Sequence, residues 1–349
     1  MFLRIAALLF ASLLIGSVHA ASPADNFVKP VTSRVAISPS GKYVAVITAI
    51  GHDKKALAIA PFENGKLGKF KGTNLGEMLV SDVIFKTDDR LIVTVVQRQM
   101  EVRGARDRDN KAVTVDRTLV LAMNRDGSDI KVMMPDNEMG AQVASALRQD
   151  PQHVLLVSRK SSYAVSLFKA DIATGEVEKV EEGVTRKEGT SRREAYVITQ
   201  RYVVSSTGVP YARYDFNTDT KSIVVYGRPV GGSWTKLREF PVIFGARQIE
   251  FGGLASDTTA YVIDRAGEDR RAVWEYDLTT GKPLRKVFAD PVGEVDDVIQ
   301  NVYTGDIMGQ MVMTAGKPKW VFTSRNFAAA QAALEETFPE YPNITIRGY

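Results

Sequence analysis

The 349-residue chain contains no cysteine and only three histidines. The first absence excludes thiolate nucleophiles, disulfides and cysteine-ligated metals. It says little about compartment, because a chain this long can be stabilised by its core without covalent staples. Of the histidines, His19 falls in the N-terminal leader, leaving His52 and His153. Two histidines without cysteine do not make a protein-only zinc site, and no H-E-x-x-H is present. The serine-hydrolase elbow G-x-S-x-G is also missing. The nearest stretch, "GGSWT" at 231–235, lacks the second glycine and lies between strand signals. Ser233-Trp234 therefore reads as a loop with an anchoring aromatic. The glycine-rich stretches "GRPVGGS" and "FGGL" do not follow phosphate-loop spacing.

Long apolar runs are absent after the first twenty residues. "MFLRIAALLFASLLIGSVHA" carries Arg4, an apolar stretch from Ile5 to Val18, and a small-residue cleavage pattern at Val18-His19-Ala20. It reads as a secretory signal peptide, too short for a comfortable span. The expected mature chain starts near Ala21 and is periplasmic or secreted, with no membrane span after cleavage. Formal net charge is +4, and loss of Arg4 leaves +3. The basic residues of "VRGARDRDNK" and "TRKEGTSRRE" alternate with acids, a pattern of solvated loops and not of a phosphate-binding stripe. Nucleic acid is not an expected partner.

What the sequence has in abundance is hairpins. "RVAISPSGKYVAVIT" (34–48) bends around Ser38-Pro39-Ser40-Gly41, where Pro39 and Gly41 suit a type I turn. "VIFKTDDRLIVTV" (83–95) superimposes on "VAISPSGKYVAVI" (35–47) without a gap. Looser copies are "ALRQDPQHVLLVSR", "YVITQRYVVSSTG" and "QIEFGGLASDTTAYVID". A second, sharper hairpin follows each. These turn at Asn64-Gly65, Asp126-Gly127, Thr174-Gly175, near Asp219, and at Thr280-Gly281. Period-two alternation flanks every turn, and the turn residues accept positive φ. Two hairpins per unit, recurring every 44–62 residues, mean four antiparallel strands per unit. That is the signature of a β-propeller blade. The expected fold is all-β: about five full blades and a partial sixth carrying a short inserted helix. The expected division is residues 1–20 as signal peptide and 21–349 as β-propeller. The helix is read from "FAAAQAALEETF" (327–338), with Asn326 as N-cap and Glu335 and Glu336 on its exposed side.

Paired acids are a further candidate for chemistry. Of Asp88-Asp89, Glu181-Glu182, Asp296-Asp297 and Glu335-Glu336, most are expected in turns: Asp88-Asp89 in a hairpin turn, and Glu335-Glu336 on a helix surface. Adjacent acids on a strand point to opposite faces, which does not suit a pair working across one cleft. Asp296-Asp297, preceding the sixth unit, is the pair with the best claim to a role. "AMNRDGSDIKVM" offers Asn124 and Asp126, but Ala122 and Met133 stand where the end ligands of a calcium loop belong. No catalytic, metal or cofactor residue is assigned.

"AISPSGKYVAVIT", "VPYARYDFNTDTKSIVVYGR" and above all "FAAAQAALEETFPEYPNITI" resemble the N-terminal propeller of exported bacterial serine peptidases of the prolyl-oligopeptidase family, in the dipeptidyl- and acylaminoacyl-peptidase branch. In that family a propeller of seven or eight blades caps an α/β-hydrolase domain bearing a Ser-Asp-His triad, and limits access to short or unfolded peptides. The resemblance spans the mature chain but includes neither the remaining blades nor a hydrolase. It implies a propeller lacking its catalytic domain and inactive by itself. Its implied partners are a peptide or protein, including a separately encoded hydrolase domain, with no cofactor. The competing expectation is a stand-alone exported propeller that binds protein or envelope ligands.

Overall fold

The structure is a computed structural model describing residues 32–49, 55–73, 75–76, 78–106, 110–137, 139–159, 164–188, 195–242, 249–337 and 339. The segment expected to be a signal peptide, residues 1–20, lies outside these residues, as do His52 and "NITIRGY" at 343–349. The described chain is twenty-five strands and one helix, arranged as six consecutive antiparallel sheets. It is a β-propeller of four-stranded blades.

Sheet 1 holds β1 (Thr32–Ile37), β2 (Tyr43–Ala49), β3 (Lys55–Glu63) and the short β4 (Lys66–Leu67), with β5 (Lys71–Thr73) also pairing β3. Sheet 2 runs β6 (Leu79–Phe85), β7 (Arg90–Arg106), β8 (Ala112–Asn124), β9 (Lys131–Met133). Sheet 3 runs β10 (Gln142–Ser145), β11 (His153–Ser158), β12 (Ser166–Asp171), β13 (Val177–Glu181). Sheet 4 has five strands: β14 (Thr185–Glu188), β15 (Ala195–Val204), β16 (Pro210–Asn217), β17 (Ser222–Gly227) and β18 (Thr235–Pro241). Sheet 5 runs β19 (Glu250–Leu254), β20 (Thr259–Asp264), β21 (Ala272–Asp277), β22 (Pro283–Phe288). Sheet 6 has three strands, β23 (Glu294–Gln300), β24 (Ile307–Thr314) and β25 (Lys317–Phe322), followed by helix α1 (Arg325–Thr337).

The sharp turns form where turn chemistry demands them. Asn64 and Gly65 both take positive φ, 51° and 75°, as a two-residue hairpin loop requires. At Asp171, Asn217 and Asp277 one side-chain oxygen accepts the N–H groups two and three residues on, which fastens the loop between third and fourth strands.

Four expectations are corrected. "YVITQRYVVSSTG" contains no turn at Gln200-Arg201: β15 runs straight through, with a bulge between Thr199 and Arg201. Within "VRGARDRDNK" the chain stays in β7 as far as Arg106, so much of that stretch is strand and not loop. Asp296-Asp297 lies inside β23, at a bulge, and does not precede the sixth sheet. The helix starts at Arg325, and the first helical bond runs from Ala328 N–H to Ser324 O. Ser324 is thus the N-cap, ahead of Asn326.

The gapless superposition of the first two hairpins also fails, by one residue. In sheet 1 the ladder closes with Ser38 N–H on Tyr43 O, enclosing four residues, and the type I turn forms as Gly41 N–H bonds Ser38 O at 2.8 Å. In sheet 2 it closes with Lys86 N–H on Arg90 O, enclosing three. A one-residue slip moves every side chain of a strand to the other face. Val83 and Phe85 therefore enter the core, whereas their counterparts Val35 and Ile37 remain 49% and 63% exposed. Ala36 packs inward instead.

By chain packing the molecule divides into two compact units. Unit 1 comprises residues 1–146, 151–160 and 169–178; unit 2 holds the remainder. The core of unit 1 is mostly aliphatic, with Phe85 at its centre: Ala45, Ile47, Leu57 and Ile59 of sheet 1 pack against Val83, Phe85, Leu91, Val93 and Leu121 of sheet 2. Polar ties cross the same pair of sheets: Arg34 to Asp82 at 2.7 Å, and Ser40 N–H to Asp88 at 3.0 Å. The core of unit 2 is aromatic. Tyr214 and Val225 of sheet 4 meet Val262 and Tyr276 of sheet 5, and the Tyr214 hydroxyl donates to Ile249 O.

Candidate functional site

The residues singled out from the sequence are dispersed. His153 opens β11 and its Nε2 stands 4.0 Å from Asp171, both in unit 1. Asp171 is engaged by the N–H groups of Thr174 and Ala173, which hold its carboxyl below the usual range. Ser233 is exposed in the loop between β17 and β18, inside unit 2. Asp88 is held low by Ser40, and Asp89 pairs with Arg125 at 3.0 Å, whose guanidinium lies 3.5 Å from the Tyr43 ring centroid. Asn124 accepts from Arg90, and Asp126 accepts from Ser128, so both serve their turn. Asp296 stands 3.6 Å from buried Arg271, whereas Asp297 is exposed and accepts Val298 N–H. Glu335 and Glu336 are exposed on α1, and Glu335 accepts from Gln331. Among the described residues no three acids or histidines gather as a metal site would require.

Glu181 and Trp234 do come together. Trp234 Nε1 donates to Glu181 Oε1 at 3.1 Å, and Arg228 binds Glu181 Oε2 at 2.8 Å. The guanidinium groups of Arg228 and Arg213 lie 4.3 and 4.9 Å from the Trp234 ring, with Tyr202 alongside at 6.1 Å. Beneath them Arg213 pairs with Asp215 at 3.0 Å, both side chains buried. Burial raises the Asp215 carboxyl and Arg213 partly counters it. Burial also pushes the Tyr202 phenol up to about 12. With the indole N–H and ring engaged by side chains of the same unit, this assembly ties the end of β13 to the β17–β18 loop.

A polar cluster lies elsewhere in unit 2, where strand-connecting loops of different sheets meet. The β10–β11 loop contributes Leu147, Arg148 and Gln149; the β15–β16 loop Ser205, Ser206, Thr207 and Gly208; the β23–β24 loop Tyr303, Thr304 and Gly305. Gln149 Nε2 donates to Tyr303 O. A β-carbon on Gly208, whose φ is +85°, would come within 2.6 Å of Leu147 Cδ2, so the loops approach to side-chain thickness. Gly305 lies beside Ser206, and Gly253 of β19 lies against Gln300 and Gly305 O. Beneath Gly253 the buried Tyr211 hydroxyl is bonded to its backbone. Leu147 itself is buried at 4% exposure with φ +46°, a left-handed conformation for a bulky residue. The next residue, Arg148, is partly buried, and desolvation lowers its guanidinium.

Sequence reasoning missed this cluster because its members are up to 158 residues apart, from Leu147 to Gly305. Each loop reads locally as an ordinary polar turn. Chemically it offers a cation and hydroxyls, with the Gln149 amide already engaged by Tyr303 O.

No family model matches the chain, and no curated protein does. Among solved structures it is similar to a prolyl endopeptidase at 17% identity and TM-score 0.41, covering 84% of this chain and 41% of that one. It is similar to the acylaminoacyl peptidase of Pyrococcus horikoshii at 12% identity and TM-score 0.43, covering 85% and 44%. A third is an oligogalacturonate lyase at 10% identity and TM-score 0.48, covering 84% and 77%. The chain spans under half the length of both peptidases. At these scores the likenesses carry no argument about activity.

Proposed function

We propose that the chain is a non-catalytic, substrate-gating propeller of the kind that accompanies serine peptidases of the prolyl-oligopeptidase family, exported to the periplasm or beyond. The observation that supports this reading best is the sixth sheet. Its third strand leads directly into a helix built from "FAAAQAALEET", the stretch on which the family resemblance rests most heavily. The propeller's part in such an enzyme is to select short or unfolded peptides, and its own residues need supply no nucleophile. The purified chain is expected to leave an aminoacyl-nitroanilide intact; turnover that survives Ser233→Ala would overturn the non-catalytic reading. Affinity capture from the exported fraction tests the partner: a hydrolase-domain chain supports the reading, and a non-enzymatic envelope protein opposes it.

A second reading, a stand-alone exported module that binds protein or envelope ligands, is favoured by the loop cluster. That cluster is assembled within unit 2 and needs no other polypeptide to form.

A further inference from the structure

We propose that the outer edge of β8 between Ala112 and Arg117 is a strand-addition site whose ligand is an extended, unfolded peptide. The proposal deepens the gating reading and takes its peptide ligand from it; the hydrogen-bonding chemistry rests on the β7–β8 ribbon alone.

Three observations meet here. The first is an edge whose use stops short of its strand. Successive residues of an antiparallel strand aim their backbone groups at one neighbour and then the other. Ala141 N–H donates to Thr118 O at 3.0 Å, so the even-numbered residues of β8 face away from β7. Val120 and Ala122, of that set, stand opposite Met133 and Lys131 of β9. Asp116, Thr114 and Ala112 continue the set in the other direction, and no described strand pairs with them. The second observation is the isolation of the ribbon. β6 accompanies β7 only as far as Val96, yet β7 and β8 stay paired out to Arg106 and Ala112. From Arg117 to Ala112 the two strands run alone for about 17 Å, at roughly 3.4 Å per residue. Two strands by themselves are marginally stable in water, and a third would support them.

The third observation is the difference between the ribbon's edges. From Gln97 to Met100, β7 takes three steps against two in β8, and from Glu101 to Arg106 five against two, so both bulges fall in β7. Bulges and exposed charges such as Arg98 and Arg106 keep a strand edge from pairing. Over the same span β8 has no bulge and reads Ala-Val-Thr-Val, with Thr114 and Val115 exposed. β-Branched residues in regular register suit a further strand. Such an edge holds an extended chain through main-chain hydrogen bonds and tolerates varied side chains. A folded protein has its own strands already paired, so this recognition selects the unfolded peptides that the gating reading requires.

The test uses the full chain and fluorescein-labelled Ser-Val-Thr-Val-Thr-Val-Ser amide in three forms: unmodified, N-methylated at the valines, and N-methylated at the threonines. Alternate N–H groups of an extended peptide face opposite sides. One methylated form therefore loses the donors aimed at β8, and the other only those aimed at solvent. Fluorescence anisotropy is expected to show one form bound at least tenfold more weakly than the unmodified peptide and the other within about threefold of it. Loss in both forms, loss in neither, or no binding of the unmodified peptide overturns the site. Thr114→Pro removes an N–H that the β7 ladder does not use, as proline on a strand edge can. It is expected to weaken binding at least tenfold while the melting temperature stays within a few degrees. Thr114→Ala keeps that N–H and is expected to bind within about threefold of the unaltered chain. If Thr114→Pro does not fold, hydrogen exchange of the unaltered chain decides: bound peptide is expected to slow residues 112–116, and slowing confined to other segments overturns the site. Self-association of the chain in sedimentation, abolished by Thr114→Pro, overturns the peptide as occupant and gives the edge to a second copy. Failure of the site leaves the gating reading standing, because capture of a hydrolase-domain chain tests that reading separately.

Discussion

The hairpins at 35–47 and 83–95 have nearly the same pattern of apolar and polar residues, yet they present opposite faces of their leading strands. In the second, Phe85 is fully buried; in the first, its counterpart Ile37 is mostly exposed. Their trailing strands agree, since Ala45 and Ile47 are buried as Val93 and Val95 are. The difference originates in a single residue of loop, four enclosed against three. Side-chain direction in a strand has period two, so an odd change in loop length reverses it while leaving composition and alternation untouched.

A second contrast runs between the two units. Between sheets 1 and 2, unit 1 packs mostly aliphatic side chains around Phe85, whereas unit 2 buries tyrosine hydroxyls and a paired Arg213 and Asp215. Aliphatic packing is indifferent to pH. Buried phenols and carboxylates are not, because burial disfavours their charged forms.

These contrasts can be broken experimentally. The largest effects are expected from Phe85→Ala and Arg213→Met. Phe85→Ala opens a cavity and should cost about 3–5 kcal/mol. Arg213→Met leaves Asp215 buried without its cation, again a loss of about 3–5 kcal/mol. Denaturant unfolding followed by segment-resolved hydrogen exchange would place the first loss in unit 1 and the second in unit 2. Tyr214→Phe should cost about 1–3 kcal/mol, because the Ile249 carbonyl loses its buried donor.

Alkaline pH should separate the units next. Unfolded tyrosine ionises near its ordinary value of about 10, whereas Tyr202 keeps its proton to about 12 in the fold. Burial raises Tyr211, Tyr214 and Tyr276 as well. A raised phenol contributes stability that is fully present below the unfolded value and lost as pH climbs toward the folded one. Protection of residues 195–227 should therefore fall between pH 10 and 12 while that of residues 83–95 persists; simultaneous loss would show that the tyrosines do not control it. Smallest of all, Ile37→Ala should change stability by no more than about 0.5 kcal/mol, as for an exposed surface position. A loss of 2 kcal/mol or more there would mean that the register assigned to β1 is wrong.

Much of the architecture could be read from local signals. Each sharp turn carried its own chemistry, as at Asn64-Gly65 and Asp277–Gly281, and each strand its alternation. The helix was equally local: an alanine-rich run beginning just after Ser324. The errors arose where one pattern admits two structures. Gln200-Arg201 has the polarity of a turn, but β16 offered a continuous partner and the chain took a bulge. The candidate site was less legible still. Trp234 could be recognised as an anchor, but not that Glu181 would receive it, and nothing in "ALRQDP" distinguishes Arg148 from other surface arginines.

The amino-acid sequence, taken alone, determined that this protein would be built from antiparallel blades, how many, and where its sharpest hairpins turn. Turn and strand preferences act over a few residues, so they survive without knowledge of the rest. Tertiary structure decided which face of β1 meets the core, which arginine is drawn out of water, and which loops meet. Those outcomes depend on register and on contacts between residues more than a hundred positions apart, where the shift of one residue or the approach of one glycine reverses the result.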